Sequence, residues 1–211
     1  MLAKVKICGV TSLHDAELAA AGGAWAVGLV FYPGSARRCE LDAAAEIGAA
    51  LRRRVEVVGV FVNAALDEVV ATAEAANLSM LQLHGDEGPS YCEEVRRRSG
   101  LKVIKAARVK GAASIRALSA CRTDLHMLDA HVEGQPGGTG ESFDWSLAAE
   151  HPRTPPIVLS GGLRADNVAQ AIEIVGPFAV DVSSGVEASP GRKDPDELRR
   201  FFEAAGAPAR V

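Results

Sequence analysis

Residues 4–11 of the chain, KVKICGVT, form a short apolar run that ends on a cysteine and is followed by a glycine turn. Either Thr11 or Ser12, after the turn, can cap a helix, so the stretch predicts a strand leading into a helix. Because side chains alternate along a strand, Val5 and Ile7 share one face while Lys6 and Cys8 share the other. If the apolar face packs under helices, a lysine and a thiol point together into the space that the sheet encloses.

The pattern of this first strand recurs along the whole chain. Eight strands are predicted, at Lys4–Cys8, Ala26–Phe31, Val55–Phe61, Met80–Leu83, Lys102–Ala106, Leu125–Leu128, Ile157–Leu159 and Ala179–Val182. Eight helices are predicted between and after them, at His14–Ala21, Leu41–Leu51, Leu66–Ala76, Ser90–Arg98, Ala112–Leu118, Trp145–Ala149, Asn167–Val175 and Pro195–Ala205. Such alternation predicts βα units and a parallel sheet, and the continuous apolar runs fit strands covered on both faces.

Two architectures fit this alternation: an open doubly wound sheet and a closed eight-stranded barrel. The count of eight favours the barrel. The first βα turn, residues 8–11, also lacks the GxGxxG fingerprint of a dinucleotide-binding fold. We therefore predict an α/β protein, a single (β/α)8 TIM barrel with parallel strands, in which residues 1–211 form one catalytic domain.

Composition argues against several other classes. A hydrophobic content of 48% supports a sizeable core, and a net charge of -4 is unlike that of a general nucleic-acid binder. No apolar stretch has the length of a signal peptide or a membrane span. The four cysteines are widely separated without a CxxC pair, which predicts free thiols in a reducing cytoplasm and neither a zinc site nor a disulfide framework. We expect a cytoplasmic protein without a metal, a membrane or a nucleic-acid partner.

Glycine and serine clusters follow the last two predicted barrel strands. Gly161 and Gly162 come after the seventh strand, and Ser183, Ser184 and Gly185 come after the eighth. In a (β/α)8 barrel these two loops commonly hold phosphate, and glycines let backbone amides approach an anion closely. Either cluster alone is usually a turn. Their joint position predicts a phosphorylated ligand.

Three other strand ends carry polar side chains. Asp129 ends the sixth strand and is either a candidate acid or a structural carboxylate; the loop after it, 131–140, carries four glycines and is either a lid or a flexible surface loop. Arg37, after the second strand, can clamp a carboxylate through its planar fork or is a solvated surface charge. His84, after the fourth strand, is either a titrating catalyst or a histidine bonded to neighbouring loop backbone.

Six stretches together resemble the phosphoribosylanthranilate isomerases of tryptophan biosynthesis. They are residues 6–11 (KICGVT), 59–63 (GVFVN), 82–85 (QLHG), 137–140 (GGTG) with 143–145 (FDW), 159–163 (LSGGL) and 181–187 (DVSSGVE). The ordered set runs from Lys4 to Asp194 and is specific to this family, whereas one Gly-Gly block is shared by many phosphate-binding barrels. One departure is Ala36, where the family often has proline before its arginine.

The resemblance implies an Amadori rearrangement of N-(5-phosphoribosyl)anthranilate to 1-(2-carboxyphenylamino)-1-deoxyribulose 5-phosphate, with no cofactor. By motif, Cys8 matches the general base, Asp129 the general acid and Arg37 the group that binds the anthranilate carboxylate. The phosphate-binding positions are Gly161, Gly162, Ser183, Ser184 and Gly185, and the supporting positions are Lys6, His84, Gly138, Thr139 and Gly140. The partner is a small phosphorylated substrate, and the protein is expected to be a monomer or a homodimer.

Two of these roles require help from neighbours. A free thiol with a pKa of about 8.5 is only a few per cent thiolate at neutral pH. Since cationic charge lowers a thiol pKa, we hypothesise that Lys6 tunes Cys8. An ordinary aspartate is ionised at neutral pH, so we expect Asp129 to become partly desolvated when the loop after strand six closes.

Rival functions remain at this point. An indoleglycerol-phosphate synthase would be expected to use lysine and glutamate catalysts, and a histidine-pathway sugar isomerase would be expected to have aspartate where Cys8 stands. A non-catalytic phosphate-binding barrel, acting as a sensor or scaffold, would be expected to lack one catalytic position. Both Cys8 and Asp129 are present, which favours the isomerase.

Overall fold

Eight parallel strands close into a barrel in the computed structural model, which describes residues 3–130 and 145–206. The strands are β1 (Lys4–Cys8), β2 (Ala26–Val30), β3 (Glu56–Phe61), β4 (Met80–Leu83), β5 (Lys102–Val109), β6 (Leu125–Ala130), β7 (Ile157–Ser160) and β8 (Ala179–Val182). Each strand pairs with the next in the chain, and β8 pairs with β1. The predicted (β/α)8 TIM barrel is confirmed.

Helices follow the strands and cover the outside of the barrel. They are α1 (Leu13–Ala21), α2 (Leu41–Leu51), α3 (Leu66–Ala75), α4 (Pro89–Ser99), α5 (Ala112–Leu118), α6 (Val168–Val175) and α7 (Pro195–Ala204). The segment Trp145–Ala149, predicted as a helix after β6, lies in a 3-10 helix that covers Trp145–Glu150. Within the described ranges, no helix combines the length and the apolar character needed to cross a membrane.

The predicted cap of the first helix is present. Ser12 adopts an extended backbone and its side chain accepts a hydrogen bond from the Asp15 amide, which satisfies a free donor at the start of α1. Thr11, the other candidate cap, instead donates from Oγ1 to the carbonyl oxygen of Gly191 at 2.7 Å. The first βα turn is thereby fastened to a segment near the end of the chain.

Two apolar layers hold the barrel. A large outer core lies between the strands and the helices. A smaller inner core consists of Ala26, Val58, Met80, Ile104, Ala106, Leu125, Met127, Val158 and Ala179. Trp25 and Phe178, which precede β2 and β8, pack against this inner core. Their rings meet edge to face, with the ring centroids 5.3 Å apart. Since apolar side chains fill the amino-terminal part of the barrel, the polar interior side chains gather near its carboxyl-terminal rim.

The structure adds two features that the sequence patterns did not indicate. Strand β5 continues to Val109, beyond the predicted end at Ala106, because its last residues pair with β6 as far as Ala130. A short antiparallel hairpin, β9 (Glu187–Ser189) with β10 (Arg192–Lys193), lies between β8 and α7. The extension forms the carboxyl end of β5, and the hairpin follows the carboxyl end of β8. Both therefore lie at the end of the barrel that carries the candidate site residues.

Candidate active site

A buried lysine and a buried thiol lie side by side inside the barrel. The pairing of β1 with β8 places Lys6 opposite Asp181, and Lys6 Nζ donates to Asp181 Oδ1 at 2.6 Å. Ser160 Oγ, on β7, donates to the other carboxylate oxygen at 3.0 Å. Lys6 and Cys8 therefore share the interior face, as the alternation along β1 predicted, and Lys6 has an anionic partner that the sequence reading missed.

Gly28 makes room for this pair. It lies on β2 directly opposite Cys8, and a Cβ built on it would lie 2.8 Å from Cys8 Sγ and 2.9 Å from Lys6 Nζ. Both separations are shorter than side-chain atoms tolerate. The missing side chain of Gly28 is therefore the space that the thiol and the ammonium occupy.

Burial, more than charge, sets the proton affinity of the thiol. Burial raises the pKa of Cys8 above its ordinary value, and the neighbouring Asp181 carboxylate raises it further. Lys6 and Lys193 act in the opposite direction, toward the thiolate, without reversing the result. Lys6 thus acts on Cys8 in the hypothesised direction, but its field is partly cancelled by its own ion pair with Asp181.

Arg37 forms an ion pair with Glu187 of the β9–β10 hairpin. Its Nε lies 2.9 Å and 3.0 Å from the two carboxylate oxygens of Glu187, and its Nη2 donates to Oε2 at 2.7 Å. The alternative that Arg37 is a solvated surface charge is therefore wrong. Among the described residues Nη1 makes no hydrogen bond, so one edge of the fork is left for a ligand.

Glu187 is in turn held by Lys193. Lys193 Nζ donates to Glu187 Oε1 at 2.9 Å, and both side chains are almost fully buried. Hydrogen bonds from Arg37 and Lys193 outweigh burial and lower the pKa of Glu187. A buried carboxylate that stays ionised fixes the arginine in one position at the rim.

Asp129 is bound by His84 across the barrel mouth. His84 Nε2 lies 3.0 Å from Asp129 Oδ2, and His84 Nδ1 lies 2.8 Å from the side-chain nitrogen of Gln82. Both ring nitrogens contact side chains, so the alternative that His84 is bonded to loop backbone is wrong. Asp129 is 23% exposed and His84 20% exposed, which leaves both side chains accessible from the rim.

The loops after β7 and β8 meet at the same rim. Gly161 and Gly162 have φ angles of 95° and 64°, a left-handed conformation that favours glycine. A Cβ on Gly185 would collide with the carbonyl oxygen of Leu163, so the two loops are in backbone contact. The Ser183 hydroxyl is buried and makes no hydrogen bond within the described residues, which leaves a donor free at the predicted phosphate position.

A cavity of about 680 Å³ opens beside His84 at the ends of β4 and β5. Its lining includes Tyr32, Asn63, Lys105 and Arg108 as well as His84. The volume is that of a small-molecule site. The wall carries both basic and acidic side chains, because Asp86 and Glu87 also line it and Glu87 is paired with Lys105.

Some predicted positions lie outside the described residues. Gly138, Thr139 and Gly140, and the loop 131–140 as a whole, belong to this group. In the two stretches that the structure does describe, no three His, Cys, Asp or Glu side chains are grouped as metal ligands. All four cysteines are free thiols.

Comparison with known proteins supports the resemblance. Residues 5–204 match the family model described as N-(5'phosphoribosyl)anthranilate (PRA) isomerase. An N-(5'-phosphoribosyl)anthranilate isomerase of Citrifermentans bemidjiense is 52% identical over 204 residues, which is 97% of each chain. The chain belongs to the PRA isomerase family. The resemblance drawn from the motifs is confirmed.

Solved members of the PRA isomerase family share the whole barrel. The crystal structure of the enzyme from Thermotoga maritima superposes with a TM-score of 0.88 at 41% identity, covering 97% of this chain and 98% of that one. A second structure, with a TM-score of 0.84 at 40% identity and coverage of 97% and 98%, is a complex with reduced 1-(o-carboxyphenylamino)-1-deoxyribulose 5-phosphate. Membership of the PRA isomerase family removes the support for the synthase and the histidine-pathway alternatives.

Proposed function

We propose that this chain converts N-(5-phosphoribosyl)anthranilate to 1-(2-carboxyphenylamino)-1-deoxyribulose 5-phosphate in tryptophan biosynthesis, with Cys8 as general base and Asp129 as general acid. The observation that carries the proposal is the placement of both groups on one rim, at the ends of β1 and β6, together with the loops after β7 and β8. The same proposal takes residues 1–211 as one catalytic domain that acts in the cytoplasm as a monomer or homodimer.

The rearrangement needs two proton transfers at different parts of the sugar. An acid gives a proton to the ring oxygen, and the furanose opens to an iminium ion at carbon 1. A base then removes the proton on carbon 2, giving an enolamine. Finally the carbon 2 hydroxyl loses its proton as the ketone forms, and carbon 1 gains one. Two groups on separate strands suit this chemistry, and the iminium ion is the electron sink, so no cofactor is required.

The binding groups fit the two anions of the substrate. Arg37, already fixed by Glu187, has its Nη1 edge for the anthranilate carboxylate. The loops that contain Gly161, Gly162 and residues 183–185 would hold the phosphate through backbone amides and the free Ser183 hydroxyl. Lys6 would favour the Cys8 thiolate against the effect of burial.

The test is a fluorescence assay that follows the disappearance of freshly generated phosphoribosylanthranilate. We expect turnover by the parent and losses of about 10² to 10⁴-fold in kcat for Cys8→Ser and for Asp129→Asn. The matched controls are Cys39→Ser and Asp42→Asn, which should retain parental activity. The Cys39 thiol donates to the Glu40 carbonyl oxygen and to nothing else in the described part of the chain, and Asp42 lies on the exposed side of α2. Binding without turnover in the parent would support a sensor instead.

A further inference from the structure

In the observed orientation of the Gln82 amide, the bonds around His84 define which ring nitrogen carries the proton. The side-chain nitrogen of Gln82 is a donor only, and it lies 2.8 Å from His84 Nδ1. Nδ1 must therefore accept, which leaves the proton of the neutral ring on Nε2. From there it points at Asp129 Oδ2, 3.0 Å away. In this arrangement the histidine donates to an ionised Asp129.

In this arrangement the side-chain nitrogen of Gln82 has a hydrogen-bond partner and its side-chain oxygen does not. Gln82 is 1% exposed, and its carbonyl oxygen, Oε1, is buried without a hydrogen-bond partner in the described residues. A buried acceptor without a partner is unfavourable, because it has lost its bonds to water without gaining others. Rotation of the amide by half a turn would exchange nitrogen for oxygen and point this acceptor at Nδ1.

The rotated amide requires a proton on Nδ1, and the ring then holds protons on both nitrogens or passes the second one to Asp129. The two bonds of His84 would be Nδ1–H to Gln82 Oε1 and a shared proton between Nε2 and Asp129 Oδ2. In this second arrangement Oε1 has a partner. The Gln82 amide thus has one orientation suited to the singly protonated His84–Asp129 pair and one suited to the doubly protonated pair.

We propose that His84 and Gln82 are positioning residues that supply Asp129 with the proton it gives to the substrate. The inference rests on the proposed function and deepens it. An ionised aspartate has no proton to give to the substrate. A neighbouring imidazolium can supply one by passing its Nε2 proton to Asp129 Oδ2. The proton leaves His84 Nε2 and binds to Asp129 Oδ2.

The protons balance over one turnover. The imidazolium passes its Nε2 proton to Asp129, and Asp129 passes one to the ring oxygen of the sugar. His84 is left neutral with its remaining proton on Nδ1 only until the pair is protonated again, whereas the neutral ring of the resting enzyme carries its proton on Nε2. The carbon 2 proton taken by Cys8 goes to carbon 1. The proton released by the carbon 2 hydroxyl, as the ketone forms, restores the pair. No oxidant, reductant or co-reactant is needed.

Charged groups surround the pair on several sides. Asp129 faces His84 from β6, and Lys105 on β5 donates to the carbonyl oxygens of Leu83 and Gly85 on either side of His84. Glu87 in the following loop is paired with Lys105 at 2.8 Å. Arg108 and Asp86 line the same cavity wall. A substitution of Gln82 leaves these charged groups unchanged. A shift in the pH dependence of kcat in such a variant therefore reports the Gln82–His84 bond.

The experiment compares the pH dependence of kcat in the parent, His84→Gln and Gln82→Glu. His84→Gln keeps an N–H group near Asp129 but cannot hold a second proton, so we expect kcat to fall about 10²-fold with KM changed less than about threefold. The limb in which kcat falls as pH rises should move to lower pH. Gln82→Glu presents a negative acceptor to Nδ1 and should move that limb to higher pH by about one pH unit.

Two variants and a spectroscopic measurement complete the test. His14→Gln and Gln170→Glu, both on exposed helix positions, should leave the profile unchanged. Nitrogen NMR of histidine-labelled protein reads the ring directly and needs no substrate. The His84 signals should show an Nε2–H tautomer when neutral, and protonation at a higher pH in Gln82→Glu than in the parent.

The outcomes separate the two proposals. Absence of turnover in the parent overturns the proposed function, and NMR alone then decides the state of His84. A neutral Nδ1–H tautomer, or equal protonation in the parent and Gln82→Glu, overturns the positioning role. The positioning role is also overturned if the parent turns over substrate and His84→Gln shows the same pH dependence of kcat as the parent.

Discussion

Lys193 Nζ donates a hydrogen bond to the main-chain carbonyl oxygen of Cys8 at 2.6 Å. The bond joins the first strand of the barrel to the hairpin that follows the last one. The same ammonium donates to the carbonyl oxygen of Ser183 at 3.2 Å and to Glu187 at 2.9 Å. One buried cation therefore links the candidate base, the phosphate loop and the carboxylate that holds Arg37.

Replacing this cation should be costly. Lys193→Met would leave Glu187 with one cationic partner instead of two and the Cys8 carbonyl without its donor. We expect the free energy of unfolding to fall by about 3 kcal/mol, since removing one member of a buried ion pair leaves an uncompensated charge. Urea unfolding measures it. Arg192→Met, at the exposed neighbouring position, is the control, and equal losses in the two variants would contradict the prediction.

Gly28→Ala should damage the chemistry more than the fold. The added methyl group would push Cys8 Sγ or Lys6 Nζ out of place, because it would lie within 3 Å of both. We expect kcat to fall about 10²-fold, in line with a displacement of about 1 Å, with a stability loss of about 1–3 kcal/mol. Gly88→Ala is the control, since a Cβ there meets nothing within 4 Å. Parental kcat in Gly28→Ala would show that the thiol position is not critical.

Removing Lys6 should raise the pKa of Cys8 further above its ordinary value. Lys6→Met takes away a charge that favours the thiolate and leaves the Asp181 carboxylate, which disfavours it. Thiolate absorbance as a function of pH gives the result. Adding Asp181→Asn should reverse part of the rise and also protects the fold from an unpaired buried carboxylate. An unchanged Cys8 pKa in Lys6→Met would disprove the hypothesis, and exposed Lys102→Met serves as the control.

Two buried histidines should make the fold sensitive to acid. The Arg153 amide donates to His151 Nδ1, His151 Nε2 lies 2.8 Å from His126 Nδ1, and His126 Nε2 lies 2.9 Å from the Cys121 carbonyl oxygen. Both rings are neutral in this chain of bonds. Burial lowers the pKa of both, and the charges of His126 and Arg153 help to lower that of His151 to about 4.

The sign of this effect follows from the unfolded state, in which a histidine titrates near its ordinary pKa of 6.5. Above that pH neither state binds the proton and the stability is complete. Below it the unfolded state binds more protons, so stability falls until the folded pKa of about 4 is reached. The loss attributable to His151 should be about 1–3 kcal/mol.

Urea unfolding at about pH 7 and about pH 4 measures the loss. His151→Gln should lose less stability on acidification than the parent, and exposed His14→Gln should lose as much as the parent. If His151→Gln and the parent lose the same amount, the histidine pair is not a source of acid sensitivity.

The barrel and the inward face of β1 could be predicted because they depend on local patterns. Alternation along residues 4–8 placed Lys6 beside Cys8, and the positions of Arg37, Asp129 and the glycine loops followed from their place after strands. These are properties of short segments. The structure bears out the architecture and shows each of these residues at or inside the same rim.

The partners of those residues could not be predicted, because they depend on how distant segments meet. Asp181 is a lone carboxylate in an apolar strand, and Gln82 is a lone amide in another; an unusual polar residue in such a run was the available signal. Glu187 and Lys193 belong to a hairpin with no apolar alternation. Their roles emerge only when β8 closes on β1.

The bonds between Lys6 and Asp181 and between Cys8 and Lys193 span 175 and 185 residues of sequence. The chain is synthesised from its amino terminus, so Lys6, Cys8 and Arg37 all leave the ribosome before their partners Asp181, Lys193 and Glu187 have been made. A product cut short after Ser160 would carry both proposed catalytic groups and yet have no carboxylate beside Lys6 and no hairpin to hold Arg37. We therefore expect such a fragment to be inactive, and activity to be acquired only once β8 and the hairpin have been made.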